Sequence, residues 1–188
     1  EGPLDMRYDR SNGYRASDIV NGFSEKDLAS IFWEYGEERY SRRIAREIVQ
    51  ARKVKPFVTT LDLAEFMRYL VPSPFHIHPA TRVFQALRIA VNRELETLGR
   101  ALATGIDLLR SEGRIVVISY HSLEDRIVKN MFRTESKDCI CLPEILECRC
   151  GHKAGLRIIT KKPIIPDEQE ISGNPRSRSA KMRGAERI

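Results

Sequence analysis

The chain has 188 residues, of which 41% are hydrophobic, so it is long enough to bury the core of one large domain or two small ones. A formal net charge of +6 favours a polyanionic partner. Because no apolar run approaches the roughly 20 residues of a membrane span and no signal peptide opens the sequence, we expect no membrane contact.

The amino-terminal part of the chain predicts a loop followed by helices. Residues 1–14 have no helical period and contain the turn signal Asn12-Gly13, so we predict a loop there. Ser24 predicts a helix N-cap, because Asp27 follows three positions later and apolar residues then recur at helical spacing. The next predicted helix carries arginines beside its apolar face, namely Arg39, Arg42, Arg43 and Arg46.

More helices are predicted after Pro56, which interrupts the pattern. Thr59 or Thr60 predicts the cap of the next helix. The longest predicted helix covers about residues 80–98, and a further helix ends near Leu109.

The carboxy-terminal part predicts α/β structure. A β-branched run at residues 114–119 and a second run at 156–160 predict buried strands. Ser122 predicts the cap of a helix that ends near residue 132. Two short strands form no stable sheet unaided, so this part requires partner strands from elsewhere. Residues 174–188 are rich in arginine and predict either phosphate contacts or a solvated terminus.

The longest predicted helix carries a polar stripe. Its members are spaced i, i+4, i+7 and i+11 and share one face: Thr81, Gln85, Arg88 and Asn92. An arginine and two amides can hydrogen-bond phosphates and base edges. The alternative interpretation is a solvated helix face.

Polar residues also concentrate where the first strand gives way to a helix. They are His121, Ser122, Glu124, Asp125 and Arg126. Ligands of α/β proteins bind at this end of a strand, and a helix N-terminus favours an anion. The alternative is a purely local capping motif of Ser122 with Asp125.

Four cysteines lie within twelve residues: Cys139, Cys141, Cys148 and Cys150. They connect no distant parts of the chain, so they do not indicate a secreted disulfide framework. Four soft ligands so close together are compatible with a tetrahedral zinc site, although C-x-C pairs are less common than C-x₂-C pairs. Reduced thiols with packing roles and cysteines oxidised after purification are the alternatives.

Six sequence blocks resemble one known family. They are Gly2–Arg7, Tyr35–Arg39, His78–Arg82, Phe84–Asn92, His121–Lys129 and Asn174–Lys181. In this order and over nearly the whole chain, they are similar to the bacterial small-subunit ribosomal RNA cytosine-N4 methyltransferases, the MraW family.

The resemblance implies a cytoplasmic enzyme that transfers a methyl group from S-adenosylmethionine to the exocyclic N4 of a cytidine in the decoding region of 16S rRNA. It implies a Rossmann-like α/β methyltransferase domain with an inserted all-α helical domain. Residues 1–14 would form an active-site loop, 15–98 the insert, and 99–188 the C-terminal part of the methyltransferase domain with its cysteine loop and basic tail. The glycine-rich motif that binds the cofactor in the family does not occur in this sequence. We therefore assign no cofactor-binding residue and expect the chain to be inactive alone.

The resemblance and the chemistry together give a set of candidate residues. The expected catalytic residues are Asp5, His121, Ser122, Glu124 and Asp125, with Asp5 or Glu124 as the acceptor for the amine proton. The expected substrate-binding residues are Pro3, Arg7, Arg82, Gln85, Arg88, Asn92, Arg126, Arg176 and Arg178. The alternative function is a non-catalytic RNA-binding or ribosome-assembly module, stabilised by zinc. The sequence leaves the oligomeric state open.

Overall fold

The computed structural model describes residues 1–71, 78–142, 144 and 147–188. The chain divides into two compact units, Glu1–Glu94 (unit 1) and Leu95–Ile188 (unit 2). The boundary between the units thus lies four residues before the predicted boundary between residues 98 and 99. Within the described ranges, no helix is long and apolar enough to cross a membrane.

Unit 1 is helical in its described residues. The helices are α1 (Ala16–Gly22), α2 (Glu25–Glu34), α3 (Ser41–Ala51), α4 (Thr60–Leu70) and α5 (Thr81–Asn92). They enclose a core that includes Leu4, Phe32, Ile44, Ile48, Leu63, Met67 and Leu87. Two predicted caps are confirmed, because Ser24 accepts a hydrogen bond from the amide of Asp27 and Thr59 forms a reciprocal capping box with Asp62.

The predicted helix over residues 80–98 is wrong, because α5 ends at Asn92 and α6 (Glu94–Asp107) begins after a single left-handed residue, Arg93, with φ of 50°. The break turns Glu94 back so that its carboxylate accepts two hydrogen bonds from Arg88, at 2.9 and 3.1 Å. Residues six apart on a straight helix do not face each other, so the ion pair requires the break. The apolar period continues on both sides of Arg93, which is why the pattern does not reveal it.

Unit 2 contains a small sheet with helices. Its elements after α6 are β1 (Arg114–Ser119), α7 (Ser122–Glu135), β2 (Leu156–Ile158), α8 (Glu168–Gly173), a 3-10 helix (Pro175–Ser179) and β3 (Lys181–Arg187). The strand order is β1-β3-β2, and both pairings are antiparallel. Its core includes Leu102, Ile106, Val128, Phe132, Leu156 and Ala185. The mixed α/β class predicted from the sequence is confirmed.

The last residues of the chain are not a solvated basic tail. They form β3, the central strand of the sheet, so the partner that β1 and β2 need comes from this chain itself. The two buried charged residues of β3 both have partners: Arg183 pairs with Asp125, and Glu186 pairs with Arg114 and Arg157. A strand with satisfied charges has low hydrophobicity, and its sequence therefore resembles that of an exposed terminus.

Candidate functional site

The first loop of unit 1 is fixed to the helical core by its backbone. The buried side chain of Leu4 anchors it, and the Leu4 amide donates to Val58 O at 2.9 Å. The first amides of α1 donate to the loop carbonyls of Asp5 and Leu4, at 2.7 and 2.8 Å. Met6 adopts a left-handed conformation with φ of 65°. The loop is thus an ordered part of unit 1 that presents polar side chains at its surface.

Asp5 and Arg7 form a bidentate ion pair in this loop. Arg7 Nε lies 2.7 Å from Asp5 Oδ1, and Arg7 Nη2 lies 3.0 Å from Oδ2. Hydrogen bonding from Arg7 lowers the pKa of Asp5 to about 2. Asp5 therefore stays ionised near neutral pH, with both oxygens engaged by one guanidinium.

Asn92 ties the end of α5 to the same loop. Its amide nitrogen donates to Met6 O and to Arg88 O, both at 2.8 Å, and its amide oxygen accepts from the Tyr8 amide at 2.8 Å. These contacts engage both ends of the Asn92 amide, so it positions the loop.

A shallow cavity of about 350 Å³ opens beside the loop. It is lined by Pro3, Asp5, Met6, Arg7, Tyr8, Arg10 and Arg88. Its volume lies at the lower end of the range for small-molecule sites, and its arginines suit an anionic or nucleotide ligand. Four predicted residues, Pro3, Asp5, Arg7 and Arg88, meet here, and Asn92 supports them from behind.

Arg82 and Gln85 do not line this cavity. The Gln85 side chain donates to Tyr35 O at 3.1 Å, and Arg82 donates to Glu37 O at 3.3 Å. Between these carbonyls lies Gly36, where an added Cβ would come within 2.7 Å of Arg82 O. Both side chains therefore fasten the turn between α2 and α3 against α5, and the absence of a side chain at Gly36 permits that close approach.

The second group of predicted residues begins α7 in unit 2. The predicted cap at Ser122 is wrong: His121 is the N-cap, with its Nδ1 accepting from the Glu124 amide at 3.4 Å, and Ser122 is the first residue of the helix. Glu124 completes the capping box, because its Oε2 accepts from the His121 amide at 3.3 Å, and the same oxygen also accepts from the Tyr120 amide at 2.9 Å. The sequence rule for caps favours serine, and it overlooks a histidine whose unprotonated nitrogen can accept.

The capping box holds an ionised carboxylate beside a buried imidazole. Burial raises the pKa of Glu124, but the adjacent His121 side chain and the hydrogen bonds from the amides of Tyr120 and His121 outweigh it and hold the pKa below its ordinary value. Nε2 of His121 is buried and lies 3.3 Å from Glu124 Oε1, yet it has no well-directed hydrogen bond to any residue that the structure describes. A buried polar atom in that condition is suited to receive a ligand group.

Asp125 and Arg126 lie one step further along α7. The carboxylate of Asp125 is buried against Arg183 of β3, with contacts of 2.6 and 3.1 Å. Hydrogen bonding from Arg183 lowers the pKa of Asp125. Asp125 thus joins α7 to the central strand, whereas Arg126 is exposed.

Two other predicted arginines, Arg176 and Arg178, lie on the 3-10 helix before β3. Both are exposed, while the intervening Ser177 is buried and donates to Asn174 O at 2.8 Å. The turn directs both arginines to solvent, where they are accessible to phosphates.

The four cysteines come together in the loop between α7 and β2. Their sulfur atoms all lie within 4.8 Å of one another, and all four are free thiols.

Sequence reasoning missed an aromatic surface between α2 and α3. A cavity of about 920 Å³ lies there, with Trp33 and Tyr40 both about half exposed at 60% and 49%. It is also lined by exposed basic residues: Lys26, Arg39, Arg42 and Arg43. The arginine-rich side of α3 was visible in the sequence, but only the packing of the two helices brings Trp33 to it.

These features define a basic mixed α/β protein whose surfaces carry arginine-lined and aromatic cavities. The profile of the MraW methylase family matches residues 1–188, and the chain belongs to this family. It is 53% identical over 190 residues to the ribosomal RNA small subunit methyltransferase H of Carboxydothermus hydrogenoformans, covering 100% of this chain and 61% of that protein. It is 53% identical over 188 residues to the protein of that name in Thermomicrobium roseum, covering 100% and 58%. The chain thus spans about three fifths of the length of these relatives.

Proposed function

We propose that the protein to which this chain belongs transfers a methyl group from S-adenosylmethionine to N4 of a cytidine in the decoding region of 16S rRNA, in the cytoplasm. Membership in a methylase family and relatives named as ribosomal RNA small subunit methyltransferases support rRNA methylation. Unit 1 then corresponds to an inserted helical domain, and unit 2 to the C-terminal part of a Rossmann-like domain. An antiparallel edge is common on the mostly parallel sheets of such domains.

The turn at the start of α7 does not fit the usual cradle for a nucleotide cofactor. The turn from β1 to α7 consists of Tyr120 and His121 and has no glycine, whereas nucleotide cofactors are usually held where glycines let the backbone approach. S-adenosylmethionine would supply an electrophilic methyl group, and we assign none of its binding to this chain. The residues of this chain act on the substrate.

The observation that carries the proposal is the His121–Glu124 capping box. An exocyclic amine conjugated to a ring is a poor nucleophile, and when N4 gains a carbon it must lose a proton to an acceptor. Glu124 is ionised and partly buried, and Nε2 of His121 has unused hydrogen-bonding capacity. We assign proton acceptance to the carboxylate of Glu124 and orientation of the substrate to His121, whose Nε2 carries the ring proton because Nδ1 accepts from the Glu124 amide. Ser122 and Arg126 lie beside them at the start of α7.

Asp5 is less suited to accept the proton. Its pKa of about 2 makes it a weak base, and both of its oxygens are bound to Arg7. We assign it to holding Arg7 at the cavity wall. Pro3, Arg7 and Arg88 then receive the nucleotide, with Asn92 as a positioning residue, and orientation of the base contributes to the rate. Asp125 acts through its ion pair with Arg183.

A measurement of methyl transfer tests the assignment. The intact enzyme, donor and small ribosomal subunits should yield N4-methylcytidine at one position, detected by nucleoside mass spectrometry. Glu124→Gln should reduce kcat by about 10²-fold or more, the usual contribution of a general base, with an unchanged KM for the donor. The control is Asn130→Ala, which alters an exposed residue on the same helix. Methylation elsewhere on the base, or full activity of Glu124→Gln, would contradict the assignment.

We further assign RNA contacts to the surface between α2 and α3 and to Arg176 and Arg178. Aromatic side chains stack on unpaired bases, and arginines neutralise phosphates. Trp33 is the sole tryptophan of these 188 residues. Single-stranded RNA should quench the tryptophan fluorescence of the intact protein, and Trp33→Phe should abolish that quenching. Replacing both Arg176 and Arg178 with alanine should lower the slope of log affinity against log salt by about 0.7 per lost phosphate contact. Salt-dependent RNA binding by the intact protein without any methyl transfer would favour the alternative of a non-catalytic RNA-binding or ribosome-assembly module.

A further inference from the structure

We propose that Cys139, Cys141, Cys148 and Cys150 bind one structural Zn²⁺ as a closed tetrathiolate site. The proposal is independent of methyl transfer, because it rests on the geometry of a loop in unit 2.

The sulfur positions match a tetrahedron of the right size. Four thiolates at the usual Zn–S distance of about 2.3 Å lie about 3.8 Å from one another. Here Cys148 Sγ lies 3.6 Å from Cys150 Sγ, and Cys150 Sγ lies 3.8 Å from Cys139 Sγ. Since all four sulfur atoms lie within 4.8 Å of one another, small side-chain movements suffice to complete the coordination.

Backbone amides are already directed at the sulfur atoms. Ile140 N lies 3.5 Å from Cys150 Sγ, Cys141 N lies 3.4 Å from Cys139 Sγ, and Arg149 N lies 3.4 Å from Cys141 Sγ. Hydrogen bonds of this kind stabilise the negative charge of thiolate ligands and fix their orientation. The C-x-C spacing supports the arrangement, because the amide of the residue between the two cysteines of each pair reaches a sulfur atom of the other pair.

The loop lacks another source of rigidity in its described part. Every described residue from 137 to 150 is exposed or half-buried, so apolar burial contributes little to its order. Besides the amide contacts to sulfur, the described hydrogen bonds join the two ends of the segment: Gly155 N to Glu135 O at 2.8 Å, His152 Nε2 with Thr134 O at 3.1 Å, and Ala154 N to Asp138 Oδ1 at 3.4 Å. A metal would supply the missing crosslink between α7 and β2.

The ligand set favours zinc in a structural role. Four soft thiolates in a tetrahedron select zinc or iron, and a site with four protein ligands leaves no open position for substrate or water.

Metal analysis of the intact protein, purified with reductant and without added metal, tests the proposal. We expect one zinc per chain, released when a thiol-modifying reagent titrates the four cysteines. Replacing zinc with Co²⁺ should give the intense visible absorption of a tetrahedral tetrathiolate. The Cys139→Ser/Cys150→Ser double variant should lose the zinc, whereas Arg149→Ser, a neighbour that contributes only its backbone amide, should retain it.

Amide hydrogen exchange gives a readout on the wild-type protein that does not depend on the folding of the variants. Chelation should accelerate exchange in residues 137–155 and leave α2 and α3 unchanged. Absence of zinc, iron in its place, two disulfides in the freshly isolated protein, or zinc retained by the double variant would each overturn the proposal.

Discussion

The ion pair between Asp125 and Arg183 allows a quantitative prediction about the stability of unit 2. Both side chains are only about one tenth exposed, at 12% and 10%, and two charge-assisted hydrogen bonds join them. Asp125→Ala leaves the guanidinium buried without its partner and with Lys181, previously 4.0 Å from the carboxylate, nearby. Removing one member of such a pair costs about 3–5 kcal/mol. Because typical domains have a free energy of unfolding of about 5–15 kcal/mol, unit 2 should become marginally stable.

Urea unfolding followed by circular dichroism measures the loss, and amide hydrogen exchange in β1 and β3 locates it. Asn130→Ala on the same helix should change the free energy of unfolding by no more than about 0.5 kcal/mol. Adding Arg183→Met to Asp125→Ala should destabilise no further, because the unpaired charge is removed. Since the folded state lowers the pKa of Asp125, the contribution of the pair is present above the ordinary aspartate range and is lost as the pH falls through the folded pKa. A loss below about 1 kcal/mol for Asp125→Ala would refute the reasoning.

Three further predictions concern unit 1. Asn92→Ala should lower the free energy of unfolding by about 1–2 kcal/mol and accelerate amide exchange in the first loop, because three hydrogen bonds are lost. The control Gln85→Ala removes a side-chain amide that donates to Tyr35 O, and it should leave exchange in the first loop unchanged. Thr59→Ala should cost about 1 kcal/mol in thermal unfolding through loss of the α4 cap, and an unchanged melting temperature would disprove the capping role. NMR titration of the carboxyl carbon of Asp5 should give a pKa of about 2, rising toward 3.8 in Arg7→Gln, so its contribution to stability is lost only as the pH falls from about 4 toward 2; an Asp5 titration near 4 in the wild type would contradict this.

Residue patterns predicted where polar side chains cluster, but not which of them contact one another. The turn at the start of α7 was predicted to concentrate polar chemistry, and the structure places His121 and Glu124 together there. Which residue of the turn is available to a ligand could not be predicted, because that depends on β3. The strand engages Asp125 through Arg183, whereas the neighbouring Glu124 remains beside the imidazole. The residues of the polar stripe on α5 also have different roles. Arg88 lines the cavity beside the first loop, whereas Gln85 hydrogen-bonds to the turn between α2 and α3.

The sequence by itself determined the family, because six blocks in order along the chain resemble it. It also determined the mixed α/β class and the N-caps at Ser24 and Thr59, because hydrophobic period and capping depend on residues close together in the chain. Only the tertiary structure decided that residues 181–187 form the central strand, because their charges are compatible with burial only when distant partners neutralise them. It also decided that the helix breaks at Arg93. The ion pair between Arg88 and Glu94 joins residues on different faces of a straight helix, and the hydrogen bond from Asn92 to Met6 O joins residues far apart in the chain. Residues close together in the chain thus specify caps and helical periodicity, whereas ion pairs between distant residues specify which charged side chains are buried.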